Sequence, residues 1–355
     1  MIYALMTYAL MACALMSSAD EELRFRFQPG DKYFLVSVTK QRMARIVHGN
    51  EQTTEQTVWL GCDLDVEEVE ESGCAWAKYT YRQAVMKIKG LGVDTTYDSE
   101  ANQPQVPFEA LPLALELGES FYMKITPQGH IDKINGLQAI VVSAKGKLPN
   151  VKGREQLVGA VENLFAESAI RRVLESQLAV FPDPNTEHKS TGAQEHTSAA
   201  VMAGALTPCS WSRTEQINEE NAGVPVVVEQ TWRLRETSGT VAVIDVNLVI
   251  RPTAEKEETT IGGAKARREV RGHGTGRVEI EKVTGRIIAN TLTKDLVEEV
   301  EVFAQGPMLR PPAPPEPVRT HIVTTFQMID RENLSDANQT TPPSPAKPEA
   351  NQPAS

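Results

Sequence analysis

The chain contains no HExxH helix signature, no GxSxG elbow and no CxxC pair, and it has only four cysteines and an aromatic content of 6%. Without an elbow no serine is singled out as a nucleophile. Its six histidines are scattered, so no metal set is singled out either. His188 and His196 share a Thr-, Ser- and Ala-rich stretch, where such pairs are usually incidental. Carboxylates are plentiful, but a glycosidase pair is defined by separation in space, which a sequence does not give. The expectation is a non-enzyme with no catalytic, cofactor-binding or metal residue and no cofactor. Positive charge is also short. Lys and Arg number 36 against 47 Asp and Glu, a net charge of -11, which opposes a nucleic-acid partner because phosphate binding needs concentrated cations. Beyond residue 19 no stretch approaches the roughly 20 apolar residues of a membrane helix, so none is expected in the mature chain.

What is present begins with Met1 to Ala19, an uncharged run of Leu, Met, Ala and Tyr that gives way to Asp20-Glu21-Glu22. Ser17-Ser18-Ala19 places small residues where a signal peptidase reads, which predicts cleavage between Ala19 and Asp20. A second reading is lipidation at Cys13, in the lipobox-like Leu10-Met11-Ala12-Cys13. Either reading gives an exported protein of the periplasm, cell envelope or extracellular space, lipid-anchored in the second case. Loss of Cys13 leaves Cys62, Cys74 and Cys209. A hairpin centred near Ser72 sets Cys74 opposite about Glu70 and Cys62 opposite about Arg82, so no Cys62–Cys74 bridge is expected.

Trp59 to Lys89 reads as a long β-hairpin turning at Glu71-Ser72-Gly73, and Val227 to Arg251 repeats its punctuation at Thr237-Ser238-Gly239. Each long hairpin is followed by a shorter one, turning at Pro127-Gln128-Gly129 in the first copy and at Val283-Thr284-Gly285 in the second. Gly73, Gly239, Gly129 and Gly285 are therefore the candidate structural turns, each needing positive φ. The apolar phase Cys62, Leu64, Val66 slips to Val69, which predicts a bulge near Glu67. Six acids between Asp63 and Glu71 read as a solvated strand face rather than a cation site. Leu23 to Phe27 and Lys32 to Thr39 read as strands flanking a turn, Gly90-Leu91-Gly92 breaks the return strand of the first long hairpin, Glu255 to Gly263 reads as a polar loop, and Val318, Ile322, Phe326 and Met328 mark a final strand. Helical spacing occurs only in the middle, at Leu157, Val161, Leu164 and Phe165, then at Ile170, Val173, Leu174 and Leu178, with a break near Ser168. His273 lies in Gly272-His273-Gly274-Thr275-Gly276, which leads into a strand and so is no phosphate loop.

The fold class expected is mainly β (α+β): two similar antiparallel β-sheet halves with long hairpins, as a curved sheet or half-barrel, joined by central helices. The divisions are 1–19 signal peptide, 20–150 first β half, 151–182 helical segment, 183–209 linker or long loop, 210–330 second β half and 331–355 disordered Pro-rich tail. Pro29-Gly30-Asp31-Lys32-Tyr33, the Glu-Ser-Gly hairpin, Thr126-Pro127-Gln128-Gly129-His130, the central helices and the Gly-x-Gly strand near Gly274 together resemble an uncharacterised family of exported bacterial proteins. The resemblance covers most of Leu23 to Asp330. It implies export and a β-rich fold, and it carries no catalytic residue. Trp59, Trp76, Trp211 and Trp232 could stack on a sugar or line an apolar cavity, with strand packing the ordinary role. The function expected is that of a non-catalytic envelope protein binding an apolar or amphipathic ligand or a protein partner. The alternative is a purely structural interaction protein, and a hydrolase ranks below both.

Overall fold

The structure, a computed structural model, describes residues 23–47, 49–101, 105–148, 154–182, 210–217, 225–253, 258–261, 264–302 and 317–333. The expected signal peptide with Cys13, Ala19 and Asp20, the 183–209 stretch with Cys209, and most of the expected tail lie outside the described residues.

Thirteen strands form one antiparallel sheet among the described residues. They are β1 (Lys32–Val47), β2 (Asn50–Val69), β3 (Ala75–Gly90), β4 (Val93–Asp98), β5 (Ser120–Ile125), β6 (Ile131–Asn135), β7 (Ser210–Ile217), β8 (Val226–Ser238), β9 (Val241–Pro252), β10 (Glu258–Ile261), β11 (Ala264–Glu281), β12 (Ile287–Val302) and β13 (Val318–Asp330). Among the described residues four α-helices accompany them: α1 (Leu111–Glu116), α2 (Leu137–Lys147), α3 (Arg154–Leu164) and α4 (Glu167–Leu178). The sheet order is β6-β5-β3-β2-β1-β13-β12-β11-β9-β8-β7, with β4 beside β3 and β10 beside β11. Neighbours in the sheet are thus neighbours in the chain, save that β3 pairs with β5 and β9 with β11, past the short β4 and β10, and that β13 returns to pair with β1, from Tyr33 opposite Asp330 to Ala44 opposite Arg319.

The edges β6 and β7 flank the one break in this meander, and α4 fills it. Laid flat, the strands between those edges would span roughly 48 Å at normal strand spacing, whereas a helix is about 10 Å across. Yet Glu175 of α4 accepts hydrogen bonds from the Ile131 N–H at the start of β6 and from Arg213 of β7, both at 3.0 Å. Gln177, two residues on, reaches Ser37 of β1, and its carbonyl accepts from Asn290 of β12. One helix touches both edges and the middle, so the sheet curls around it without closing into a barrel. Ile170, Leu174, Gln177 and Leu178 supply its buried stripe.

The two halves repeat each other within this single sheet. The long hairpin β2–β3 has Glu67 bulged before its turn, and β8–β9 has Arg235 bulged before its own. In both copies the outgoing strand pairs with the first strand of the hairpin that follows, Ala75 opposite Ile125 and Ala242 opposite Ile280. These following hairpins match around their turns: Ile125 faces Ile131 with Asp132 bulged, and Ile280 faces Ile287 with Ile288 bulged. Only the first of them is the shorter one expected, since β11 and β12, of 18 and 16 residues, outrun β8 and β9, of 13 and 12. Both short turns are tied to the incoming chain. Phe25 N–H donates to the Pro127 carbonyl and Arg26 N–H to that of Thr284, each at 2.8 Å, while Phe25 stacks on Phe27 and sets its edge against Phe181.

Several expectations need correction. Leu23 to Phe27 is extended but joins no ladder; it clasps the two turns instead. Helix is not confined to the middle, because α1 and α2 precede residue 151. The break at Gly90-Leu91-Gly92 is a turn into β4, and the loop expected at Glu255 to Gly263 contains β10. The halves are joined by the β1–β13 ladder as well as by helices. Cys62 faces Tyr81, close to its expected position, and is a free, buried thiol, as Cys74 is a free one.

Candidate ligand cavity

Side chains of the second half alternate across the strands, and one face of each strand points toward α4. At the end of that face nearest the short turns, Trp211, Trp232, Ile244, Val246, Ile280, Ile287, Phe326 and Met328 pack as core. The Trp211 and Trp232 rings stack with centroids 6.3 Å apart and 8° between planes, so both serve as packing. Toward the other end the filling stops, leaving a cavity of about 520 Å³ roofed by Arg172, Val173, Glu175 and Ser176 of α4. Val173, one of the helix's apolar positions, is 56% exposed because it faces this space rather than the core.

Register sorts the cavity wall into rows. Next to the tryptophan floor, Arg213, Gln230, Leu248, Gly274, Lys294 and Ile322 stand side by side on β7, β8, β9, β11, β12 and β13. One row further out come Glu215, Val228, Ile250, Gly272 and Leu296. The row beside the floor thus carries the polar Arg213, Gln230 and Lys294, and the next carries the apolar Val228, Ile250 and Leu296 together with Glu215. Gly272, Gly274 and Gly276 give β11 no side chain here; a Cβ on Gly274 would lie 2.7 Å from the Thr293 carbonyl oxygen. That closeness is the reason for glycine, since the strand can bend tightly against β12 only without a Cβ. His273, between them, points to the opposite face and meets Asp295, which also accepts from His321 at 2.7 Å. Among the described residues no three such groups are placed to hold a metal ion.

Four cations and two carboxylates line the cavity. Arg213 bonds to both carboxylates, Glu175 at 3.0 Å and Glu215 at 3.3 Å, and Arg268 is paired with Glu298 at 2.7 Å. Arg172 is partnered too. Burial alone would push the Glu175 carboxyl up, but hydrogen bonds from His130, the Ile131 N–H and Arg213 outweigh it and hold the group at about 2. Lys294 is different. Burial pulls its ammonium below the usual lysine range, and no carboxylate pairs with it among the described residues. Among the described residues the buried Trp211 Nε1, at the floor, finds no acceptor.

The remaining candidate features are structural. Of the six acids between Asp63 and Glu71, Glu67, Glu68 and Glu71 are exposed, while three are drawn into ion pairs: Asp63 with Arg82 and Arg331, Asp65 with Arg331, and Glu70 with Lys124. Gly73, Gly129, Gly239 and Gly285 have φ of +82°, +88°, +57° and +75°. Trp59 is buried, laid with Phe34 over Gly61 on the outer face, and Trp76 is half-buried. In the first half, Glu116 is buried beside Cys62, Tyr79 and Tyr81, and burial raises its carboxyl to about 8. An apolar groove of about 350 Å³ between α1 and α3 offers one polar side chain, Glu109.

Residues 75–206 match a family described as Family of unknown function (DUF6263). The match begins at β3 and runs through the helices, a narrower span than Leu23 to Asp330. Among curated proteins, none matches the chain. Of solved structures, it is similar to a lipovitellin chain described for lipid-protein interactions, with 12% identity and a TM-score of 0.42. That alignment covers 85% of this chain and 25% of the other, so the chain spans about a quarter of the lipovitellin. It is also similar to OccK5 of Pseudomonas aeruginosa, with 6% identity, 84% and 98% coverage and a TM-score of 0.20. A third is the translocator domain of the autotransporter NalP from Neisseria meningitidis, with 7% identity, 91% and 97% coverage and a TM-score of 0.20. Scores this low establish no shared fold, and the functional reading rests on the geometry above.

Proposed function

We propose that this chain is an exported, non-catalytic envelope protein that carries an apolar or amphipathic ligand in the cavity between the second half and α4. The observation behind this reading is the unfilled stretch of an otherwise packed inner face. Its volume of about 520 Å³ falls within the range of small-molecule sites, and its walls combine apolar side chains with polar and charged ones in nearly equal number, as an amphipathic ligand needs. Packed sheets do not leave such a space by default, because each unfilled volume forfeits dispersion contacts. Glu175, His130 and Arg213 are occupied in holding the seam shut, which supports a latch rather than a catalytic set. Export rests on the leader that ends at Ala19.

Native mass spectrometry of full-length protein recovered from its own cell envelope tests the reading. The expected spectrum shows a chain beginning at Asp20 with a small molecule retained. Leu248→Trp, which fills the cavity from β9, should release that molecule while the chain stays folded. A bare chain, indistinguishable from the Leu248→Trp protein, would leave the purely structural alternative standing.

A further inference from the structure

Lys294 is the one cavity cation that no carboxylate neutralises among the described residues. Its ladder neighbours are Gly274 and Ile322, and Leu292 and Leu296 stand before and after it on the same face of β12. The other cations of the lining have partners: Arg213 holds two carboxylates, Arg268 holds Glu298, and Arg172 is engaged as well. A lysine amid glycine, leucine and isoleucine could be replaced by another apolar residue at no cost to packing, so its ammonium calls for an anion supplied from elsewhere. Its place in the wall says where that anion would lie. Lys294 belongs to the row beside the tryptophan floor, with Arg213 and Gln230, and the apolar Val228, Ile250 and Leu296 stand one row nearer the mouth, where the one charged side chain, Glu215, is held by Arg213. A molecule that satisfies both rows has a charged head at the floor and an apolar body running outward. One uncompensated ammonium matches one negative charge.

We propose that Lys294 binds the carboxylate of a long-chain amphipathic acid, the apolar chain of which lies along Val228, Ile250 and Leu296. This rests on the cavity reading and adds the ligand's class and the pose of its head. The lowered basicity of Lys294 agrees with it, because an ammonium short of solvation gains most from a bound anion.

The test compares dodecanoate with dodecanol, which share a chain and differ in the head, by titration calorimetry on the delipidated full-length protein and on Lys294→Met and Lys294→Arg. Dodecanoate should bind the native protein at least about tenfold more tightly than dodecanol. Lys294→Met should erase that preference by weakening dodecanoate alone, and Lys294→Arg should retain most of it. Removing a desolvated charge from an apolar wall should leave Lys294→Met folded, and its melting curve checks this. Equal binding of the two ligands by the native protein, or a carboxylate preference that survives in Lys294→Met, would overturn the assignment while leaving the cavity reading intact. If neither ligand binds, the cavity reading fails and this inference with it.

Discussion

Glycine at a turn is demanded for two separable reasons, a backbone angle and a lack of room, and the four turn glycines separate them. All four have positive φ, where a β-branched residue is strained by about 1–3 kcal/mol. At Gly239 nothing lies within 4 Å of the position a Cβ would take, whereas at Gly73 that carbon would stand 3.1 Å from Pro127 Cγ. At Gly129 and Gly285 it would strike backbone, 2.0 Å from the Leu178 carbonyl oxygen and 1.9 Å from that of Arg24. Urea unfolding should therefore rank Gly239→Ala as mildest, then Gly73→Ala, with Gly129→Ala and Gly285→Ala the most damaging, beyond about 3 kcal/mol. A Gly285→Ala protein as stable as Gly239→Ala would show that the incoming chain does not clasp the turn. The angle was legible from the Gly-containing turns. The crowding was not, since it comes from segments remote in sequence. Lys294 did leave a trace, for it stands in the apolar phase of Leu292, Lys294, Leu296, a pattern open to reading as a charge on a buried face.

Among the elements, α4 has the heaviest duty, and Glu175 is the residue through which it bridges two strands that do not pair with each other. The carboxyl sits at about 2 in the folded protein against about 4.5 when unfolded, so its folded pKa is depressed. Its contribution is fully present above about pH 4.5 and is lost as pH falls toward 2. Allowing for its partly solvated position, that contribution is about 2 kcal/mol. Glu175→Gln should therefore unfold at lower urea than the native protein at pH 7, with the gap narrowing as pH falls below about 4.5. A gap that is constant from about pH 7 to pH 3 would mean that the charge of Glu175 does not hold the seam. The helix itself is legible in its spacing, and so is α2, where Leu137, Ile140, Val141 and Ala144 recur at helical intervals. In contrast, α1 has six residues and a proline at its second position, too little for any period to register.

For the molecule as a whole, the repeated punctuation of the two halves invites a division into two units, but the β1–β13 ladder argues against it. Local patterning showed both strands and could not show that they pair, because nothing in either sequence names its partner across some 285 residues. If one half unfolded alone, β1 or β13 would become a long unpaired edge and α4 would lose half its contacts. The expectation is a single cooperative transition. Tryptophans in both halves can report it: Trp59 and Trp76 on β2 and β3, Trp211 and Trp232 on β7 and β8. Two proteins, Trp59→Phe/Trp76→Phe and Trp211→Phe/Trp232→Phe, each leave reporters in one half. Gly239→Val, a lesion confined to the second half, should lower the urea midpoint by the same amount whichever pair reports. If the first-half reporters keep their midpoint while the second-half reporters lose theirs, the halves are independent domains, and the ladder that joins them is too weak to couple their folding.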